Sequence, residues 1–283
     1  MNIDLQQARK SCQRLAKSHY ENFVVASVLL PKRLRQPFFD VYAFCRTADD
    51  LADESPSPTI ALERLDDFQQ QLNDSFAGNP PPNEFLALAD TIQRHDLPKQ
   101  PFDDLLSAFR QDQVKTRYQD IDEVFDYCKR SANPVGRIVL SLADACSDKN
   151  AALSDKICTG LQLANFWQDV KRDRAIGRVY LPQDEMQQFN VSDQMLDLDQ
   201  TPVELRGLLK SECDRAESLF RDGLPLVESV PSWLRKDIKL FAHGGLETLR
   251  AIRNVDFDVL RKRPKVSKAA QIGLIARAMI GLL

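Results

Sequence analysis

The sequence predicts an all-α protein built as a single helical domain, and three observations carry that expectation. Apolar residues recur at spacings of three and four along most of the chain, as in Leu62, Leu65, Phe68 and Leu72. Glycine is scarce, at 10 residues, and the 15 prolines gather in short breaks. No period-two strand series occurs, and no Asn-Gly or Asp-Gly pair joins two strand-like runs.

The breaks fall at 54–58, 77–82, 97–101, 223–225 and 263–264. Between them the apolar spacing predicts helices over 4–18, 33–53, 59–75, 83–95, 102–114, 121–131, 134–146, 152–174, 202–221, 232–260 and 267–281. Start signals support several of these: Ser154 and Asp155 near one, Thr201-Pro202 before another, Ser232 before a third. No linker is long enough to divide the chain, so residues 1–283 read as one domain, and no fixed-period repeat suggests a solenoid. The last helix is strongly apolar but carries Arg277. It reads as a final core helix, with a membrane-surface anchor as the alternative.

Composition narrows the function. With 283 residues, 43% of them hydrophobic, the chain can bury a large core. Its net charge of −3 disfavours nucleic acid, whose backbone is bound by releasing counterions with Lys and Arg. The six cysteines form no CxxC pair and the first residues lack a signal-peptide pattern, which predicts reduced thiols and a cytoplasmic protein. No apolar run approaches the ~20 residues that span a bilayer.

Two acid-rich stretches carry the chemistry. The first, Arg46-Thr47-Ala48-Asp49-Asp50-Leu51-Ala52-Asp53, puts Asp49 and Asp53 four apart and so on one helix face. That spacing alone says little, because Glu63/Asp67 and Asp122/Asp126 share it. Position separates them. At ~100° per residue, Glu63 and Asp67 fall opposite the apolar stripe of their helix, whereas Asp49 falls between Phe38 and Tyr42, near Cys45. A buried acidic pair needs a cation, part of which Arg46 could supply and a divalent metal the rest.

In the second stretch, Gln162, Asn165, Asp169 and Asp173 share one stripe, bordered by Arg172, beside a wide apolar arc of Leu163, Ala164, Phe166, Trp167 and Val170. Carboxylate and amide oxygens without His or Cys suit a hard cation such as Mg²⁺. That ion keeps waters and takes one or two carboxylates plus substrate phosphates. Two such helices facing each other would clamp a diphosphate.

These motifs, with Leu29-Leu30-Pro31, Tyr42-Ala-Phe-Cys-Arg46, Tyr127, Pro134-Val-Gly136 and Gly177-Arg-Val-Tyr-Leu-Pro182, resemble the squalene/phytoene synthase family over about residues 11 to 265. Ser18-His-Tyr-Glu-Asn-Phe23, Arg46-Thr-Ala-Asp-Asp-Leu-Ala-Asp-Glu54 and Asn165-Phe-Trp-Gln-Asp169 together resemble its hydroxysqualene-synthase branch, from the bacterial hopanoid pathway.

The resemblance implies an isoprenoid-synthase helical bundle around a central apolar cavity, acting on an isoprenoid diphosphate with Mg²⁺. It assigns Asp49, Asp53, Asn165, Asp169 and Asp173 to the metal, and the four aspartates to catalysis. Substrate contacts fall to His19, Tyr20, Tyr42, Arg46, Tyr127, Gln162, Asn165 and Arg178. Phe23, Tyr42, Phe44, Tyr127 and Phe166 are aromatic candidates for facing a carbocation, weighed against plain core packing.

No GxGxxG follows a strand, and no nicotinamide is expected. Two departures from the family pattern stand out: Gln168 where relatives often carry Arg, and Leu249 where some carry an active-site Tyr. A monomer or weak dimer is expected. The alternatives are a head-to-head prenyltransferase making presqualene diphosphate, squalene or phytoene, a non-catalytic helical assembly factor of the same fold, and a diphosphohydrolase of unrelated helical fold.

Overall fold

The computed structural model describes residues 4–18 and 30–279, so His19, Tyr20 and Phe23, expected at the substrate site, lie outside the described residues. The described chain is helical, with no strand and a single isolated bridge between Arg117 and Val179. No described helix is long and apolar enough to cross a membrane. The all-α expectation holds.

The helices are α1 (Leu5–Ser18), α2 (Lys32–Asp53), α3 (Pro58–Phe76), α4 (Phe85–His95), α5 (Gln100–Gln111), α6 (Ile121–Ser131) and α7 (Asn133–Leu142). They continue as α8 (Asp148–Ala175), α9 (Gln183–Gln188), α10 (Val203–Gly223), α11 (Ser232–Asn254) and α12 (Lys268–Met279). Short 3₁₀ turns at Asp193–Asp197 and Leu224–Glu228 complete the described elements.

Several ends have a local cause. Ser57 accepts from the Ile60 amide and Pro58 opens α3; Asp120 accepts from the Glu123 amide and caps α6. Other ends differ from the sequence reading. Helix α7 stops at Leu142 because Asp144 turns left-handed at φ 52°. Helix α11 stops at Asn254, before Asp256 and Phe257 at φ 52° and 57°, so the expected run to 260 is too long. Helix α8 begins at Asp148, leaving Ser154 buried inside it rather than at its start. Thr201, read as a start signal, instead accepts from the Leu260 amide, while its own amide donates to Asp258.

The described chain forms two compact units, the first comprising 1–114 and 134–147, the second 115–133 and 148–283. Neither is one continuous stretch, which is why no dividing linker shows in the sequence. The first is cored by α1, α2 and α4 through Ala8, Cys12, Ala16, Phe39, Ala43 and Ala87. Phe44 stacks on Phe68 at 5.3 Å and meets Phe85 and Phe102 edge-on. Buried in this unit, Asp40 accepts from the Thr91 hydroxyl and the Gln36 amide, both at 2.8 Å.

In the second unit α8 packs on α10 and α11. Glycines, costly inside helices, allow the close approach here. Phe220 of α10 lies over Gly160 of α8, where an added Cβ would stand 3.2 Å from its ring, and over Gly245 of α11, where the gap would be 2.1 Å. None of the six cysteines is in a disulfide.

Candidate active site

The first acidic motif occupies the last two turns of α2. That helix buries Val41, Ala43, Phe44, Ala48 and Ala52, and its acids sit off that face. Arg46 Nη1 donates to Asp49 Oδ2 at 3.1 Å, and its other terminal nitrogen pairs with Asp50. Asp49 keeps 41% of its side chain exposed, and Asp53 is exposed outright.

The sequence argument for burial is therefore corrected for this motif. Asp53 is the final helical residue, and the chain turns away through Ser55–Pro58, leaving that turn open. Asp49 already has a cation one turn before it. What remains is the donor chemistry, oxygen ligands beside an arginine. Tyr42, half-buried on the same helix, has its hydroxyl pushed up by burial, with Asp49 and Asp50 adding to it and Arg46 opposing. Cys45 is pushed up to about 12, mainly by burial and then by Asp49. The comparison pairs behave as read: Glu63, Asp67, Asp122 and Asp126 are all exposed.

The second motif lies on α8. Leu163, Ala164, Phe166, Trp167 and Val170 are buried, and the polar stripe runs beside them. Along it Gln162 is half-buried, Asn165 exposed, Asp169 16% exposed by side chain and Asp173 half-buried. The Asp173 carboxyl is pushed up to about 7 by burial first and by Asp169 second, against the pull of Arg178, Arg172 and Arg263. An acid held in this way gains from a cation.

Arg178 reaches the site through the end of α8. Gly177 is left-handed at φ 82°, its amide bonds to Arg174 O, and the Arg178 amide bonds to Asp173 O at 2.8 Å. This is a Schellman closure, open to glycine because a Cβ penalises that φ. It folds Arg178 back, so that Asp173, Arg178, Phe166, Val170 and Tyr180 line one small cavity. Phe166 stacks on Tyr180 at 3.7 Å and 9°, and Tyr127 and Tyr118 complete the aromatic group. Tyr127 and Phe166 are buried in that group, and Phe44 in the first unit's core.

One participant escaped the sequence reading. Arg263, taken there only as part of a proline break, donates to both oxygens of Asp169, with Nη2 to Oδ2 at 2.8 Å. It also donates to Gln168 Oε1 at 2.7 Å. No local signal marks it, because it lies 94 residues from Asp169 in sequence. The two departures from the family pattern both turn out to be buried: Gln168 at 7% exposure, donating to Pro264 O, and Leu249 within the packing face of α11.

Among the described residues no three His, Cys, Asp or Glu side chains converge as a closed metal cage. Each acidic motif offers one or two carboxylates with neighbouring amide or guanidinium groups. That donor set fits an ion completed by water and phosphate oxygens.

The described helices, one of them bearing an Asn/Asp oxygen stripe beside an apolar arc, share the fold of helical isoprenoid synthases. Comparison with known proteins places it further. The squalene/phytoene synthase family model matches residues 16–270, and the chain belongs to that family of enzymes, which act on isoprenoid diphosphates and generally use Mg²⁺.

The 15-cis-phytoene synthase of Synechococcus elongatus is 28% identical, covering 98% of this chain and 94% of its own length. The chloroplastic phytoene synthase of Narcissus pseudonarcissus is 30% identical over 97% of this chain and 66% of its own. Among solved structures, squalene synthase HpnC from Alicyclobacillus acidocaldarius superposes with a TM-score of 0.86 at 40% identity, covering 90% of this chain and 96% of that one. A dehydrosqualene synthase in complex with ligand superposes at 0.89 and 26% identity, over 98% and 97% of the two chains.

Proposed function

We propose that this chain is a Mg²⁺-dependent hydroxysqualene synthase, taking presqualene diphosphate to hydroxysqualene and diphosphate. The observation that carries the reading is the α8 stripe, where Asp169 and the half-buried Asp173 meet Arg178 and Arg263 beside buried aromatics. The 40% identity to squalene synthase HpnC supports the family, and the choice of the hydroxysqualene branch rests on the resemblance of Ser18–Phe23, Arg46–Glu54 and Asn165–Asp169.

Asp49 and Asp53 on one motif, and Asn165, Asp169 and Asp173 on the other, are assigned to Mg²⁺ or its waters. When bound, the ion supplies charge neutralisation for the leaving diphosphate. Arg46, Arg178 and Arg263 hold phosphate oxygens, each preset by the carboxylates around it. Tyr20, Tyr42, Tyr127 and Gln162 are assigned to substrate contacts, and His19 to phosphate or to positioning water.

In the reaction the carbon–oxygen bond breaks with its electron pair going to diphosphate. The resulting cation rearranges, water adds to it, and the added water loses one proton. Charge and electrons balance without a reductant, so no nicotinamide is assigned. The donors aimed at the departing oxygens stabilise charge that develops in the transition state. Thiols outside disulfides agree with a reducing cytoplasm. Peripheral membrane contact would give access to the apolar substrate.

The second reading is a head-to-head prenyltransferase, favoured by the phytoene synthase relatives. Incubation with Mg²⁺ and no nicotinamide separates the two. Presqualene diphosphate should yield hydroxysqualene, and farnesyl or geranylgeranyl diphosphate alone should yield no coupled product. Coupled product from either prenyl diphosphate alone overturns the proposal.

A further inference from the structure

Asp169 is already occupied. Arg263 grips it as a fork, with Nε on Oδ1 and Nη2 on Oδ2, and Arg172 stands 3.6 Å from Oδ1. A bidentate guanidinium–carboxylate pair is among the stronger side-chain contacts and is directional. Arg263 takes one lone pair on each oxygen of Asp169 and sets a positive charge against both, so a metal ion chelating this carboxylate competes with it.

Arg263 is itself held. The neighbouring side chain, Gln168, points ~100° away from Asp169 around the helix and is buried at 7% exposure. Its amide works in both directions: Oε1 accepts from Arg263 Nη2 at 2.7 Å, and Nε2 donates to Pro264 O at 2.7 Å. Both donor and acceptor of one buried amide are therefore spent on two consecutive residues of the 263–264 segment. The result is a bracket that sets where the guanidinium lies.

We infer that Arg263 is a latch on Asp169, positioned by Gln168, which makes metal and diphosphate bind in concert. It rests on the proposed assignment of Asp169 to the metal. A metal ion arriving alone meets the positive charge of Arg263, and chelating both oxygens would leave the guanidinium without its acceptor. Diphosphate arriving with the metal offers oxygens to that guanidinium, so the exchange conserves its pairing. Each ligand then raises the affinity of the other by the same factor, beyond the contribution of direct metal–phosphate bonding. Gln168, in the place where relatives often carry Arg, is a positioning residue: its uncharged amide holds Arg263, the guanidinium that forks onto Asp169.

The test uses Mn²⁺ binding to the full chain, read by water proton relaxation, which detects protein-bound Mn²⁺ without any turnover. It is run with and without inorganic pyrophosphate. Arg263→Gln should bind Mn²⁺ alone about tenfold more tightly than wild type, as expected from removing a charged hydrogen-bond pair. Its gain from pyrophosphate should fall. Gln168→Ala should move the same way to a smaller extent, and Arg263→Lys, which keeps the charge without the fork, should lie between.

Circular dichroism of each variant checks that it is folded, and the lysine variant carries the test if the glutamine variant is not. Metal-only affinity at or below wild type in the folded variants overturns the latch. Asp169→Asn separates the two ideas. Normal pyrophosphate-dependent Mn²⁺ binding in that variant overturns the metal assignment itself, whereas loss there with no tightening in the Arg263 variants overturns only the latch.

Discussion

Replacing Asp237 by Asn should flatten the chain's loss of stability with rising pH. Asp237 lies on the packing face of α11 at 2% exposure, and neither carboxyl oxygen has a hydrogen-bond partner among the described residues. Burial alone pushes its pKa up from 3.8 to about 7.

The sign follows from which state holds the proton. Below 3.8 both states are protonated and the group contributes no pH dependence. Between 3.8 and about 7 the unfolded chain releases its proton while the folded chain keeps it, so stability falls. Above 7 both are ionised and the full penalty remains. A rise of about three pH units corresponds to at most ~4 kcal/mol, of which about 3 develops between pH 5 and pH 8. Asparagine fills the same space and never ionises.

Thermal melts of wild type and Asp237→Asn at pH 5, 6, 7 and 8 give the measurement. The variant should gain on wild type as pH rises, by several degrees at pH 8 relative to pH 5, since ~1 kcal/mol moves Tm by about 2–4 °C at this size. Other acids, Asp173 included, titrate in both proteins and cancel in the difference. Parallel Tm–pH curves would show that Asp237 is not desolvated and refute the reasoning.

Two further outcomes are expected. Asp49→Asn and Asp169→Asn should each slow diphosphate release about a hundredfold or more while leaving the far-ultraviolet circular dichroism unchanged; near-normal release in either rejects that residue's metal role. Gly245→Ala should destabilise by about 1–3 kcal/mol, because the new methyl would stand 2.1 Å from the Phe220 ring. Adding Phe220→Leu should then cost less in that background than in wild type, and simple additivity in urea melts would exclude the packing explanation.

The helical class and most helix spans were legible because amphipathic spacing is a local property, written wherever a helix has one dry face. The same holds for the α8 stripe, whose acids share a side by helical geometry alone. Reading burial from one helix was less secure. Projection placed Asp49 among apolar residues, yet a helix end such as Asp53 is buried only if another segment covers it, and Asp53 is exposed. Glu63 and Asp67 were read correctly because mid-helix faces have no such freedom.

What the sequence by itself determined was an all-helical chain with two oxygen-rich motifs and a family resemblance that the comparisons bear out. What only the tertiary structure decided were the partnerships between distant residues. Arg263 came to Asp169, Gln168 turned from an apparent departure into a bracket for Pro264, and Gly160 and Gly245 made room for Phe220. The physical reason is that hydrogen bonds and steric contacts act over a few ångströms of space. Sequence periodicity records which way a side chain faces, but not which remote side chain will be waiting there.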